Sequence, residues 1–357
     1  MQRNLATFHL PPEHRRKLQE AGFQTVSDII EVSPIELSKE LEISKEDALE
    51  ILQLVKGTNI TSSTALEKLK EEKELPFIIT FCEELDTILG GGVPLAKITE
   101  FCGAPGIGKT QIGIQLAVDV QIPSVFGGVE GEAIYIDTEG SFMVHRAVDI
   151  AQATVSHCIS SIENNPKLKE VLNDFTVNSI LSKIYVYRCN DYIELIATVN
   201  LLPQFLTEHP RVKLIVLDSI AFHFRNNFDD MALRTRLLNG LAQNLIRMAS
   251  QHKLAVVLTN QMTTKIKSDD RGQSHVVPAL GESWGHASTL RIVLFWQHNQ
   301  RYARLYKSPS RKEATVPYTI TMGGIRSIGQ QNIDKEHKDG DHGDDECNPR
   351  KRMRLDE

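Results

Sequence analysis

One octapeptide constrains the fold of this chain more than any other feature. It fits G-x-x-x-x-G-K-[ST] and consists of Gly103, Ala104, Pro105, Gly106, Ile107, Gly108, Lys109 and Thr110. In such a loop, backbone N–H groups surround phosphate oxygens, the lysine reaches the β- and γ-phosphates, and the last hydroxyl ligates Mg²⁺. An apolar run precedes the loop at 97–102, and apolar residues at helical spacing follow it over 111–120. The sequence therefore predicts a strand, a phosphate-binding loop and a helix, and a chance glycine-rich turn is the weaker alternative.

Composition narrows the class of protein. The 357 residues, 41% of them hydrophobic, suffice for one large core and a small accessory domain. No run reaches the roughly 20 apolar residues that span a bilayer, so we expect no membrane partner. The five cysteines lack C-x-x-C spacing, which favours reduced thiols over a disulfide or zinc framework. With a net charge of −6, any basic partner surface must be a local patch.

The first 59 residues predict a small helical domain. Helical patterns at 13–21, 25–32 and 45–55 are joined by stop and capping signals, such as Gly22 after the first pattern. A further helix is expected to begin at Ser33, because Pro34 suits the first turn.

Between 79 and 328, short apolar strands alternate with longer helical segments. This alternation predicts an α/β core around a mostly parallel sheet. The preceding segment 60–78 is polar and charged, which is typical of a solvated helix or a linker. Strands are expected at 133–137, 184–187, 214–218, 255–259 and 290–296.

The segment 329–357 lacks apolar periodicity and contains an acidic stretch, so we expect a disordered tail. A basic cluster near its end resembles a nuclear localisation signal, although short basic runs also serve as solubilising charge. The cluster consists of Arg350, Lys351, Arg352 and Arg354.

Three polar side chains lie at or just after the ends of predicted strands. Asp218 ends one strand, and Glu139 and Gln261 follow two others. Because α/β sheets bind ligands at the carboxyl ends of their strands, we expect all three near the P-loop. The aspartate can support Mg²⁺, the glutamate can polarise an attacking water, and the glutamine can sense a γ-phosphate. Helix capping is the structural alternative for the two carboxylates.

Together these features resemble the RecA-type recombinases, in particular the paralogue branch of the eukaryotic recombinases and its C-type members. The resemblance covers nearly everything from 10 to 325. It implies a RecA-like P-loop ATPase core with a mostly parallel central sheet, plus a small all-α N-terminal domain of the helix-hairpin-helix type. The stretches that carry it are 21–26, 90–94, 135–142, 259–261, 281–291 and 306–310.

The resemblance implies ATP and Mg²⁺ as cofactors and assigns roles to particular residues. Arg146 falls where family members lay a guanidinium over the adenine, although an ordinary surface arginine is an equally good explanation. Lys307 stands where the filament-forming recombinase has an aspartate, so its ammonium could act on the γ-phosphate of a neighbouring subunit. The residues expected to bind phosphate or metal, or to handle water, are Lys109, Thr110, Asp218, Glu139 and Gln261.

Recombinases of this family hold single-stranded DNA with two loops. The first corresponds to 225–236, where Asp229 and Asp230 would repel phosphate, and the second to 263–285, whose composition predicts ordering on binding. A surface loop without a ligand is the alternative for the second. The candidate DNA-binding residues are Arg225, Arg234, Arg236, Lys265, Lys267 and Arg271.

The oligomerisation segment departs from the family pattern. Polymerising members carry Phe-x-x-Ala, whereas here Ser62 replaces the aromatic residue and only Ala65 is kept. Losing a buried Phe costs about 3 kcal/mol or more, about a hundredfold in affinity. We therefore expect heteromeric complexes with other recombinase paralogues, assisting the main recombinase filament, instead of long homofilaments. Glu42 replaces a hairpin glycine expected to meet phosphate, so the N-terminal domain is as well suited to protein docking as to DNA contact.

The sequence is compatible with three functions. The first is a slow ATP hydrolase stimulated by single-stranded or branched DNA, which acts in homologous recombination in the nucleus, with a cytoplasmic pool. The second is an ATP-gated assembly scaffold with little turnover. The third is a small-molecule P-loop kinase, which Glu139, Gln261 and the loop that follows disfavour.

Overall fold

The computed structural model describes residues 4–8, 10–29, 32–56, 63–161, 172–225, 228, 230–266 and 274–329. The chain divides into two compact units, Met1–Lys73 and Glu74–Glu357, each with its own hydrophobic core. No helix in the described part is long and apolar enough to cross a membrane. The predicted basic cluster of Arg350, Lys351, Arg352 and Arg354 lies outside the described residues, as do Lys267 and Arg271.

Short helices build the first unit around a small apolar core. Ser33 and Glu36 form a capping box, in which each side chain accepts a hydrogen bond from the other's backbone N–H, and this fixes the start of the third helix. The predicted helices are present, although the second is described only as far as Ile29. Their bounds are α1 (Pro12–Glu20), α2 (Val26–Ile29), α3 (Pro34–Glu40) and α4 (Lys45–Lys56).

The linker segment contains a solvated helix, α5 (Ala65–Glu74), with no buried residue. A second capping box starts it, because Glu67 accepts from the Thr64 N–H at 2.8 Å and Thr64 Oγ1 accepts from the Glu67 N–H at 3.2 Å. Ala65, the predicted interface residue, is the first residue of this helix, and its side chain is exposed. Ser62 lies outside the described residues.

The second unit is an α/β structure around a sheet that has nine strands within the described residues. The strands are β1 (Phe77–Ile78), β2 (Val93–Pro94), β3 (Ile98–Gly103), β4 (Glu132–Asp137), β5 (Ile184–Arg188), β6 (Val212–Asp218), β7 (Ala255–Asn260), β8 (Met262–Ile266), β9 (Ser274–Pro278), β10 (Leu290–Gln297), β11 (Gln300–Lys307), β12 (Thr315–Thr321) and β13 (Gly324–Arg326). Two short pairs, β1 with β2 and β8 with β9, stand apart from the large sheet. The order of strands in the large sheet is β13-β12-β11-β10-β3-β7-β6-β4-β5.

The strands from β10 to β5 run parallel, which confirms the predicted mostly parallel sheet. The antiparallel extension β11–β13 was not predicted. It follows a two-residue hairpin turn at His298 and Asn299, whose φ values of +48° and +62° suit the twist of antiparallel strands.

Helices cover both faces of the parallel strands. Successive strand residues point to opposite sides, and the central strands are buried along nearly their whole length, so each face packs against helices. The helices of this unit are α6 (Glu83–Leu89), α7 (Lys109–Asp119), α8 (Val144–Ser160), α9 (Val177–Ser182), α10 (Tyr192–Glu208), α11 (Phe222–Arg225), α12 (Met231–His252) and α13 (Gly281–Gly285). One hydrophobic cluster contains Tyr135 and Val216 with residues of α7 and α8, and the other contains Ile134 and Ile215 with residues of α10 and α12.

The register brings the carboxyl ends of four strands together. Asp137 at the end of β4 pairs with Asp218 at the end of β6, and Cys102 of β3 pairs with Asn260 of β7. The loops that follow these strands therefore meet at one edge of the sheet.

Candidate nucleotide-binding site

The P-loop turns tightly between β3 and α7. Gly106 and Gly108 have φ values of +77° and +114°, which residues with a Cβ rarely adopt. A Cβ on Gly103 would lie 2.8 Å from Ile107 Cγ2 and 3.0 Å from the carbonyl oxygen of Leu294. Glycine is thus required at positions where the backbone turns and packs closely ahead of the helix.

Lys109 begins α7, and its ammonium lies inside the loop. Nζ donates hydrogen bonds to the carbonyl oxygens of Gly103 at 2.9 Å and Ala104 at 3.0 Å. Burial lowers the pKa of Lys109, while the carboxylates of Asp218 and Glu139 act in the opposite direction. An anion that reaches this partly desolvated ammonium is attracted more strongly than it would be in water.

Asp218 is buried and surrounded by hydroxyl groups. Its Oδ2 accepts hydrogen bonds from Thr110 Oγ1 at 2.7 Å and from the Tyr135 hydroxyl at 2.8 Å. Oδ1 accepts from Thr259 Oγ1. Thr110 and Asp218, which were both expected to support Mg²⁺, are therefore in direct contact. Tyr135 and Thr259 were not predicted as site residues, because their only signal is a hydroxyl within a largely apolar strand.

Asp137 anchors the loop that carries Glu139. Its carboxylate accepts backbone hydrogen bonds from Glu139, Gly140, Ser141 and Phe142 at 2.8–3.2 Å. Arg188 lies 3.2 Å from the same carboxylate. Asp137 was not predicted to have a role, although an aspartate followed three residues later by a glycine, here Gly140, is a recognisable turn signal.

Glu139 and Gln261 meet, as their positions predicted. Gln261 Nε2 donates to Glu139 Oε1 at 2.8 Å, and Ser219 Oγ donates to the same oxygen at 2.6 Å. On its other side, Gln261 Oε1 accepts from the guanidinium of Arg225. Glu139 itself is exposed, so water can reach it.

One cavity of about 400 Å³ joins these groups. The predicted residues Gly103, Ala104, Ile107, Arg146 and Lys307 are not among those that line it. Its lining consists of Pro105, Gly106, Gly108, Lys109, Thr110, Gln111, Glu139, Asp218 and Gln261.

The guanidinium of Arg146 contacts the chain beside the P-loop. Nε donates to Gln111 Oε1 at 2.5 Å, and the terminal nitrogens donate to the carbonyl oxygens of Thr321, at 2.6 Å, and Met322. Gln111 lines the cavity, so Arg146 lies one side chain away from it. Its role at an adenine stays a prediction.

Lys307 is engaged within its own chain. Nζ donates to the carbonyl oxygens of Gly285 at 2.9 Å and Ser288 at 2.5 Å. Burial lowers its pKa, and the nearby Arg291 adds to this. Its action on a neighbouring subunit stays a prediction and would require these contacts to break.

Glu100 of β3 forms a buried network that was not predicted. It is fully buried and accepts from Arg291 Nε at 2.8 Å, Asn260 Nδ2 at 2.8 Å and Trp284 Nε1 at 3.0 Å. Asn260 Nδ2 also donates to the Ala279 carbonyl at 3.1 Å. The network thus ties the strand before the P-loop to both ends of the second predicted DNA loop.

The first predicted DNA loop is shorter than 225–236. Helix α12 begins at Met231, so Arg234 and Arg236 lie on a helix. Asp230 caps this helix by accepting from the Ala232 and Leu233 N–H groups at 2.8 and 3.0 Å, which gives it a structural role. Arg234 Nε donates to the Phe224 carbonyl at 2.6 Å, whereas Arg225 and Arg236 are exposed.

Both ends of the second predicted DNA loop form regular structure. Strands β8 and β9 pair in antiparallel register from Met262↔Pro278 to Ile266↔Ser274, which the expectation of a loop ordered only on binding did not include. Thr263 and Thr264 of β8 pair with Val277 and Val276 of β9, and β-branched residues of this kind favour strands. Lys265 lies on β8.

Comparison with known proteins agrees with this architecture. The family model described as Rad51 matches residues 71–328. The chain belongs to the Rad51 family. Among curated relatives, "DNA repair protein RAD51 homolog 3" of Cricetulus griseus is 52% identical over 368 residues, covering 96% of this chain and 100% of the relative. The protein of the same name from Dictyostelium discoideum is 51% identical over 252 residues, covering 71% of this chain and 66% of the relative. The predicted RecA-like fold is thus confirmed.

Proposed function

We propose that this Rad51-family chain is an ATP-binding, DNA-dependent ATPase of homologous recombination and double-strand-break repair. One observation carries the proposal: a single cavity is lined by the P-loop together with Glu139, Asp218 and Gln261. The names of the relatives point to DNA repair as the setting. Hydrolysis is expected to be slow.

The residues at the cavity fit ATP with Mg²⁺. Among the described residues, no group of three or more His, Cys, Asp or Glu side chains could hold a metal by itself. Thr110 and Asp218 supply two oxygens, and Mg²⁺ typically completes its shell with phosphate oxygens and water. Bound there, Mg²⁺ would neutralise phosphate charge. Lys109 would exchange its carbonyl partners in the loop for phosphate oxygens.

Glu139 is the proposed general base. It is exposed at the cavity, where its carboxylate can orient a water toward a γ-phosphate and accept its proton. Gln261, which contacts Glu139, would respond to that phosphate and transmit its presence to β8, which begins at the next residue. Asp137 holds the loop of Glu139 in place.

The proposed partners are other recombinase paralogues in a heteromeric complex, single-stranded or branched DNA, and the main recombinase filament. The exposed Ala65 on a solvated helix supports an interface there, and the missing aromatic residue argues against homofilaments. The proposed location is the nucleus, with a cytoplasmic pool.

An ATP-gated scaffold with little turnover is the second candidate. It is favoured by the two hydrogen bonds to Glu139 Oε1, since a carboxylate oxygen held by Ser219 and Gln261 is less available to accept a proton.

The test uses the full chain with its co-purifying partners. ATP hydrolysis, ATP binding and complex assembly are measured for wild type, Lys109→Ala and Glu139→Gln, with Lys312→Ala as a control for loss of a lysine. DNA-stimulated hydrolysis that falls about a hundredfold in Glu139→Gln while ATP binding persists supports the enzyme. Assembly that needs Lys109 and tolerates Glu139→Gln, without turnover, supports the scaffold. Absence of ATP binding by wild type would overturn both.

A further inference from the structure

A chain of three side chains connects the protein surface to the candidate base. The guanidinium of Arg225 donates to Gln261 Oε1, and Gln261 Nε2 donates to Glu139 Oε1 at 2.8 Å. The three residues come from three places in the chain: the end of α11, the single residue between β7 and β8, and the loop after β4. Arg225 is exposed, whereas Glu139 lines the nucleotide cavity.

The backbone next to Arg225 is held firmly while its charged end is accessible. Phe224 is fully buried, and its ring stacks on Phe228 at 5.6 Å. The Phe224 carbonyl accepts from Arg234 Nε at 2.6 Å. A ligand that binds the Arg225 guanidinium can therefore move this side chain without unfolding α11.

The contact with Arg225 fixes which way the Gln261 amide points. An amide whose oxygen faces a guanidinium turns its NH₂ group to the opposite side, and here that group meets Glu139. Glu139 Oε1 then has two donors, Gln261 and Ser219. Carboxylate lone pairs held in this way are less available to accept the proton of a water.

We propose that Arg225 is a positioning residue that holds Gln261 against Glu139, and that a backbone phosphate of bound nucleic acid competes for Arg225 and releases both. This inference rests on the proposed ATPase function and adds its regulation. A guanidinium binds phosphate through charge-assisted, bidentate hydrogen bonds, which are stronger than its bond to a neutral amide oxygen. Release frees Gln261 to face the nucleotide and leaves Glu139 with one donor fewer.

Turnover provides the first test. The change Arg225→Gln is expected to raise the kcat of DNA-free ATP hydrolysis about fivefold, the equivalent of one ordinary hydrogen bond, with KM unchanged. A single-stranded oligonucleotide is expected to stimulate this variant no further, and Arg225→Lys should fall between it and wild type. Arg247→Gln is the matched control, because Arg247 is exposed on α12 and its guanidinium contacts Asn244.

A second test does not depend on hydrolysis. The affinity of the full chain for the oligonucleotide is measured with and without a non-hydrolysable ATP analogue. Because linkage is reciprocal, phosphate binding at Arg225 requires the two affinities to differ in wild type, by about fivefold. The ratio should approach one in Arg225→Gln and stay at the wild-type value in Arg247→Gln.

The outcomes separate this inference from the proposed function. Wild type that takes up no ATP analogue overturns both. Analogue uptake with the same affinity ratio in wild type and Arg225→Gln overturns only the role of Arg225, as does a fall in DNA-free kcat in that variant. If a partner subunit without DNA stimulates wild type and an oligonucleotide does not, a partner carboxylate occupies Arg225, and the nucleic-acid assignment is wrong.

Discussion

The two halves of the candidate site differ in how firmly their carboxylates are held. In the buried half, Asp218 is 2% exposed and accepts hydroxyl hydrogen bonds from the P-loop and from neighbouring strands. In the open half, Glu139 is exposed, and one of its donors, Gln261, is itself held by the exposed Arg225.

This difference suggests a division of labour. Groups that bind a nucleotide need fixed geometry, and a buried network of hydroxyls and a carboxylate provides it. Groups that respond to a second ligand need alternative partners within reach, and exposed side chains with few hydrogen bonds provide these. Substitutions in buried groups should therefore reduce stability, whereas those in the open half should change coupling and turnover.

The largest expected effect comes from the buried ion pair behind the site. Arg291→Met would leave the fully buried Glu100 without its cation, and we expect the free energy of unfolding to fall by about 3–5 kcal/mol. Urea denaturation of wild type and Arg291→Met measures the difference in unfolding free energy. Arg304→Met is the matched control, since the Arg304–Glu313 pair is about half exposed and should contribute at most about 1 kcal/mol. Equal losses in the two variants would contradict the comparison.

The next effect compares two carboxylates on one loop. Asp137→Ala would leave the backbone N–H groups of the loop without the acceptor that Asp137 provides. We therefore expect the free energy of unfolding to fall by about 3 kcal/mol. Glu139→Ala, two residues away, should cost about 0.5 kcal/mol or less because Glu139 is exposed. Thermal and urea unfolding of both variants measure the two losses in stability. A larger loss of unfolding free energy in Glu139→Ala than in Asp137→Ala would contradict this comparison.

A smaller effect is expected from one hydroxyl. Tyr135→Phe removes a donor to the buried Asp218 but keeps the ring that lies 4.7 Å from Phe142, so we expect a loss of about 1.5 kcal/mol. Because burial raises the pKa of Tyr135 well above its usual value, the loss should be the same at pH 7 and pH 9. Tyr187→Phe on the edge strand β5 serves as control, and an equal loss there would show that Asp218 is not the cause.

Much of the buried half could be predicted from the sequence. A tight turn, a buried strand and a helix each require particular residue types at neighbouring positions, and these can be recognised in a short stretch of sequence. The P-loop glycines, the strand that ends in Asp218 and the helix after Lys109 are patterns within a few residues. The two-residue turn at His298 and Asn299 carries a weaker signal, and the antiparallel strands beyond it were not predicted.

The remaining site residues depend on register between distant segments. Nothing near Glu100 in the sequence indicates Arg291, which is brought to it by the parallel pairing of β3 with β10. In the same way, the donor from Tyr135 to Asp218 requires β4 and β6 to be neighbours in a particular register. For Asp230, the negative charge predicted repulsion of DNA. In the structure, its position before Met231 makes it the N-cap of α12, which its charge alone does not indicate.

The pH dependence of stability gives the smallest expected effect and a last comparison of carboxylates. Asp86 and Asp137 both accept backbone N–H groups, but Asp137 has Arg188 at 3.2 Å, whereas the contacts that lower the pKa of Asp86 come from Thr80. Burial outweighs them and raises the pKa of Asp86 from 3.8 to about 6. The folded state therefore binds more protons between these values, and Asp86 should reduce the free energy of unfolding as the pH rises through this window.

Because Asp86 is partly exposed, we expect the change to be about 1 kcal/mol. It is measured as the difference in unfolding free energy between wild type and Asp86→Asn at intervals from pH 4 to pH 7, so that the titration of other groups cancels. Wild type should lose stability relative to the variant as the pH rises, and the difference should level off towards pH 7. A difference that stays constant from pH 4 to pH 7 would mean that the hydrogen bonds from Thr80 offset the effect of burial on the pKa of Asp86.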